Sequence, residues 1–111
     1  MKRPTSKGQE LLPFEFGAHF PGALSALEVA VDELLSAGWD ELRRRRAHEM
    51  STILCDASKI AGWKETGGIL HAITSLLALP LGEILSIREA VRDRLLELLG
   101  ILRDSTQSET A

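Results

Sequence analysis

The chain has 111 residues, 44% of them hydrophobic and 26% charged, the balance of a folded soluble domain rather than of a disordered chain. Its formal net charge of -3 argues against nucleic acid or an anionic membrane as a partner of the whole molecule. The single cysteine, Cys55, excludes an intramolecular disulfide and a cysteine-rich metal site.

Residues 1–21 carry Pro4, Gly8, Pro13, Gly17 and Pro21, so the spacing of helix breakers predicts an irregular N-terminal arm. All three phenylalanines, Phe14, Phe16 and Phe20, fall in it, which points to packing over one end of the domain or against a partner. No secretory apolar run follows Met1-Lys2-Arg3-Pro4, and a reducing, cytoplasmic setting is expected.

The first helix is expected from about Pro21 to Ala37, with Leu24, Leu27, Val31, Leu34 and Leu35 inward at helical spacing. Ala37-Gly38-Trp39-Asp40 then reads as a helix stop, a packing aromatic and the N-cap of a second helix. That helix should end at Gly62, within Ala61-Gly62-Trp63, and bury Leu42, Met50, Ile53, Leu54, Ala57, Ile60 and Ala61.

A third helix is expected from about Trp63 to Leu79, with Ile69, Leu70, Ile73, Leu76 and Leu77 inward. Gly67 and Gly68 near its start imply either a late beginning or a close backbone approach. The stretch Ile69 to Leu85 is interrupted by His71, Pro80, Gly82 and Glu83, so no membrane span is expected. The fourth helix carries Ile84, Ile87, Val91, Leu95, Leu98 and Leu102, and residues 104–111 read as a flexible C-terminal tail. Together these elements predict an all-α fold, an up-down-up-down four-helix bundle over residues 22–103.

With the second helix's apolar stripe inward, His48, Thr52, Cys55 and Lys59 should share its outer face. Lys59 beside Cys55 would favour a thiolate slightly, although no resolving thiol accompanies it and an ordinary solvated face explains the stripe as well. His48 and Cys55 stand about 10.5 Å apart along a straight helix, too far to share a metal ion. His71 and His19 lack a neighbouring ligand, and neither a metal nor a cofactor is expected. Nor does any nucleophile elbow or phosphate-binding glycine loop occur, which leaves enzymatic activity without support.

Arg43-Arg44-Arg45-Arg46 is the strongest charge run, partly neutralised by Glu41 and Glu49. Cations at a helix N-terminus oppose the macrodipole, so a phosphate-bearing or acidic partner is one reading and a salt-bridged, solvated turn the plainer one.

The segment Thr52-Ile53-Leu54-Cys55-Asp56-Ala57-Ser58-Lys59-Ile60-Ala61-Gly62 and the hairpin it opens, from Met50 to Leu77, resemble the central hairpin of histidine phosphotransfer (HPt) domains. Those four-helix bundles pass a phosphoryl group between signalling receivers. Leu54 and Gly62 match the family's Leu and closing Gly, whereas Thr52 stands where the phosphorylated His would be and the family's Lys and adjacent Gly are replaced.

The resemblance implies a degenerate bundle in bacterial phosphorelay signalling that keeps a docking surface for a receiver-type partner. The expected function is thus a non-enzymatic interaction or regulatory module whose contact surface is His48, Thr52, Cys55 and Lys59, extended by Arg43, Arg44, Arg45 and Arg46. One alternative is a homodimeric structural protein packed through its fourth helix and Phe-containing arm. Another is an active phosphotransfer protein using His48 or His71.

Overall fold

The computed structural model describes residues 13–110, with side chains from 19 to 107. Its regular structure is wholly helical over these residues: α1 (Pro13–Ala37), α2 (Glu41–Ala61), α3 (Lys64–Leu77), α4 (Leu81–Ser86) and α5 (Arg88–Thr110). α2 packs on α1 and α3, α3 packs on α5, and a thinner contact joins α5 to α1. Leu27, Val31 and Leu34 of α1 meet Leu70, Ile73 and Leu77 of α3 and Leu95 and Leu102 of α5 in one aliphatic core.

Both Gly-Trp joints behave as helix punctuation. Gly62 takes the left-handed conformation (φ 83°, ψ 14°), and the N–H groups of Gly62 and Trp63 bond the carbonyls of Lys59 and Ser58 at 3.2 and 2.9 Å. These are the last-turn acceptors that a helix C-terminus otherwise leaves open. Gly38 also has positive φ (137°), and Asp40 caps α2 by accepting the Arg43 backbone N–H at 2.8 Å.

Three boundaries differ from the sequence expectation. α1 begins at Pro13 rather than near Pro21, so residues 13–21 are helical and the earlier part of the expected arm, 1–12, lies outside the described residues. Pro21 removes one N–H from the helix ladder, a loss of about 3 kcal/mol in a helix interior. Phe20 offsets it: the side chain is 1% exposed, extends the Leu24, Leu27, Val31 stripe by one turn, and lies 5.6 Å from the Trp63 ring.

The expected fourth helix is two helices. The Ile87 N–H bonds the Ile84 carbonyl at 3.1 Å, while the Ser86 hydroxyl donates to the Glu83 carbonyl, the acceptor that Ile87 would use in a continuous helix. Ile84 is therefore buried in α4, whereas Ile87 turns outward.

Helix also continues through the expected flexible tail to Thr110. Ser105 and Thr106 are buried; Ser105 shares a 3.1 Å hydroxyl contact with Thr66, and Thr106 donates to the Leu102 carbonyl at 2.8 Å. Small hydroxyls satisfied in this way occupy a helix seam without an apolar signature.

Candidate functional site

The α2–α3 seam decides which side of α2 faces outward. Ala47, Ser51, Leu54, Cys55, Ser58 and Ala61 face the core. Ser51 lies 2.5 Å from the Thr74 hydroxyl, and the Cys55 thiol donates to the Gly67 carbonyl at 3.6 Å. α3 begins at Lys64, so it does not start late, and the close neighbour at Gly67 is a side chain rather than the expected backbone: a Cβ there would stand 3.2 Å from Ser58 Oγ, whereas one on Gly68 would meet nothing within 4 Å.

Small side chains on α2 thus replace the large aliphatic stripe expected inside. Of that stripe only Leu54 and Ala61 are buried; Leu42, Ile53 and Ile60 are 77%, 66% and 62% exposed. The rotation dismantles the expected polar stripe as a single outer face. Cys55 is 5% exposed and lies in the seam, His48 and Thr52 are half-buried, and only Lys59 is fully on the surface. The Thr52 hydroxyl donates to the His48 carbonyl at 2.9 Å.

The arginine run is also largely committed within the chain. Arg43 pairs with its cap residue Asp40, and Arg45 reaches Glu41 at 3.3 Å. Arg44 pairs with Glu41 at 2.6 Å and donates to the Leu77 carbonyl at 2.5 Å. That carbonyl ends α3, so Arg44 sits at the negative end of α3's dipole while remaining on the first turn of α2. This resolves the apparent opposition between the cations and the α2 dipole for Arg44. Of the four, Arg46 alone makes no ion pair among the described residues.

These contacts shift the charges they join. The Arg44 guanidinium hydrogen bond, followed by its charge and by Arg45, pulls the Glu41 carboxyl to about 2. The Arg43 backbone N–H, then its side chain, lowers Asp40, and Glu41 raises Arg44 in turn.

Open grooves run between the helices. A groove of about 230 Å³ between α1 and α2 is lined by Ala23, Ala26, Met50, Ile53 and Leu54, all apolar. Val29 on α1 is also exposed. A second groove of about 370 Å³ separates α1 from α5, with Val31, Leu96 and Leu99 along it and the Arg103–Glu28 pair, 2.5 Å apart, at its edge.

His71 and His19 are exposed, and no group of three or more His, Cys, Asp or Glu among the described residues is placed to hold a metal ion. No described helix is long and apolar enough to cross a membrane. Compared with protein-family models, curated proteins and solved structures, the chain matches none.

The surface that sequence reasoning missed is the apolar side of α2. Its signal was the run of small residues at Ala47, Ser51, Cys55 and Ser58, spaced four, four and three, which marks the true inward face.

Proposed function

We propose that the chain is a non-enzymatic helical interaction module that docks a protein partner on the outward face of α2. The observation that carries this reading is the exposure of Leu42, Ile53 and Ile60 along α2, with Ile53 also lining the apolar α1–α2 groove. Large aliphatic side chains gathered on one face, with small residues turned inward on the other, suit a contact surface better than a solvated one.

The architecture is read as an up-down-up-down bundle of α1, α2, α3 and α5, with α4 as a short corner. Contacts that advance along one helix while receding along the next support this order. Ala23 and Ala26 share a groove with Leu54 and Met50, Arg44 and Cys55 contact Leu77 and Gly67, and Pro21 and Asp32 lie along Gln107 and Leu96. In a cytoplasmic phosphorelay, the role suggested by the histidine phosphotransfer resemblance, the partner is a receiver-type domain and the protein regulates by docking.

Titration of the labelled protein with receiver domains, followed by amide chemical shifts, tests this directly. Shifts centred on α2 and lost in Ile53→Glu are expected; no binding, or shifts confined to the α1–α5 groove, would refute it. A second reading, active phosphotransfer, is favoured by the exposure of His71 and the partial exposure of His48. It predicts acid-labile phosphate that disappears in His48→Ala or His71→Ala.

A further inference from the structure

The outward face of α2 carries an ordered pattern of its own. Leu42, Arg46, Glu49, Ile53, Asp56 and Ile60 are all exposed and alternate at spacings of four and three. This is the spacing of a coiled-coil seam, in which successive residues present one stripe to a facing helix. The stripe lies opposite the buried residues Ala47, Ser51, Leu54 and Ser58, and among the described residues no element covers it. None of Arg46, Glu49 and Asp56 has an ion pair among the described residues, in contrast to Arg43, Arg44 and Arg45 immediately before them.

The seam reads as its own complement when reversed. Around a midpoint at Ser51, Leu42 and Ile60 stand nine residues away on either side, Arg46 and Asp56 five, and Glu49 and Ile53 two. An antiparallel two-fold pairing therefore sets Leu42 against Ile60 and Arg46 against Asp56, each twice, with Glu49 against Ile53 at the centre. Such mutual contacts, i with j and j with i, define an isologous interface. A parallel pairing in register instead opposes Arg46 to Arg46, Glu49 to Glu49 and Asp56 to Asp56, three like-charge layers. An antiparallel pairing shifted by one heptad matches Arg46 with Glu49 but leaves Ile60 unpaired.

We infer that the α2 seam is a homodimer interface in which a second copy of this chain packs its own α2 antiparallel, joined by two Arg46–Asp56 pairs and two Leu42–Ile60 contacts. The inference goes beyond the receiver-docking reading and rests only on its exposed α2 face, which it assigns to a second copy of the chain. It moves the dimer surface away from the fourth-helix region, where the sequence pattern alone would have put it. The seam is about 27 Å long at 1.5 Å rise per residue, which places the contact among small interfaces and makes a reversible, concentration-dependent dimer the expected form.

Sedimentation equilibrium of the full chain from about 1 μM to about 1 mM tests it. The unmodified protein should pass from monomer to dimer over this range. Arg46→Asp and Asp56→Arg should each weaken self-association at least about tenfold, because each places like charges in two layers. Mixed in equal amounts, the two variants should recover association as a heterodimer. The carboxylate introduced at position 46 of one copy then faces the guanidinium introduced at position 56 of the other, and the remaining Arg46–Asp56 layer is the native one. All the substituted positions are exposed, and circular dichroism confirms that the helices persist.

A monomer throughout overturns the inference, as does a dimer indifferent to Ile53→Glu, or a mixture that fails to recover. Recovery by Arg46→Glu with Glu49→Arg in place of the first mixture overturns the register. If the chain stays monomeric while Ile53→Glu abolishes receiver-domain binding, the second-copy inference falls and the docking-module reading stands. If both self-association and partner binding are missing, both fall.

Discussion

The thiol of Cys55 donates to the backbone carbonyl of Gly67 at 3.6 Å, across the α2–α3 seam. One turn further along α2, Ser58 Oγ stands where the first side-chain atom of any other residue at position 67 would press, at 3.2 Å, and it is already engaged with the Cys55 carbonyl at 2.9 Å. The seam is thus tight at Gly67, where a side chain could be added only if Ser58 gave way.

Gly67→Ala and Gly68→Ala should therefore have opposite effects, although they are adjacent in one helix. Each gains about 1 kcal/mol of helix propensity. A Cβ on Gly68 meets nothing within 4 Å, so that variant should be more stable by about 0.5–1 kcal/mol. A Cβ on Gly67 forces Ser58 off its hydrogen bond or α3 away from α2, at a cost of about 1–3 kcal/mol, for a net loss of about 1 kcal/mol. Urea denaturation of the two variants checks the signs, and adding Ser58→Ala to Gly67→Ala should recover part of the loss.

Cys55 should be unreactive in the folded protein. It is the chain's single thiol and is 5% exposed, in a seam closed by Gly67 and Ser58. Lys59 lies on the surface and offers it no open, electropositive setting. Reaction with an aromatic disulfide reagent should accordingly proceed at the rate of seam opening and accelerate several hundredfold or more in denaturant. Fast labelling without denaturant would show that α2 and α3 separate readily.

Phe20→Ala should be among the most destabilising single substitutions, at about 3–5 kcal/mol, because it removes a nearly inaccessible ring and its partner for Trp63. It also withdraws the burial that offsets Pro21 within α1. Loss of helical signal from the residues before Pro21, measured as amide exchange, should therefore precede loss of the rest. The Trp63 emission should shift to the red in the same variant, as its ring gains water. An effect below about 1 kcal/mol would show that this turn is not anchored by Phe20.

The same residues explain how far the fold could be read in advance. Helix ends at Gly38 and Gly62 were legible because positive φ is a chemical demand that the chain meets with glycine. So were the stripes Leu24 to Leu34 and Leu70 to Leu77, where burial follows size. Three features were set by competition that periodicity does not weigh. Pro21 was overruled by Phe20, Ser86 took an acceptor from the helix that would have run through Ile87, and the inward face of α2 was chosen for smallness against Gly67. The last reversal also decided the candidate site, moving Cys55 inside and Ile53 outside.

Acid should loosen the α2 N-terminus first. Glu41 is held at about 2 against an ordinary 4.5, chiefly by the Arg44 hydrogen bond, and Asp40 is lowered in the same direction by the Arg43 N–H. The unfolded chain therefore takes up these protons at a higher pH than the folded one. Their contribution is complete above the ordinary carboxyl range and is lost as pH falls from 4.5 toward about 2. Both groups face solvent, so the effect should be modest and weaker in high salt. Melting temperature should be level down to about pH 5 and then fall, and Glu41→Gln should flatten part of that fall. Because Arg44 ties Glu41 to the Leu77 carbonyl, Arg44→Met should flatten it similarly and also loosen the last turn of α3. An unchanged acid slope in both variants would mean that the Glu41–Arg44 pair is not formed in solution.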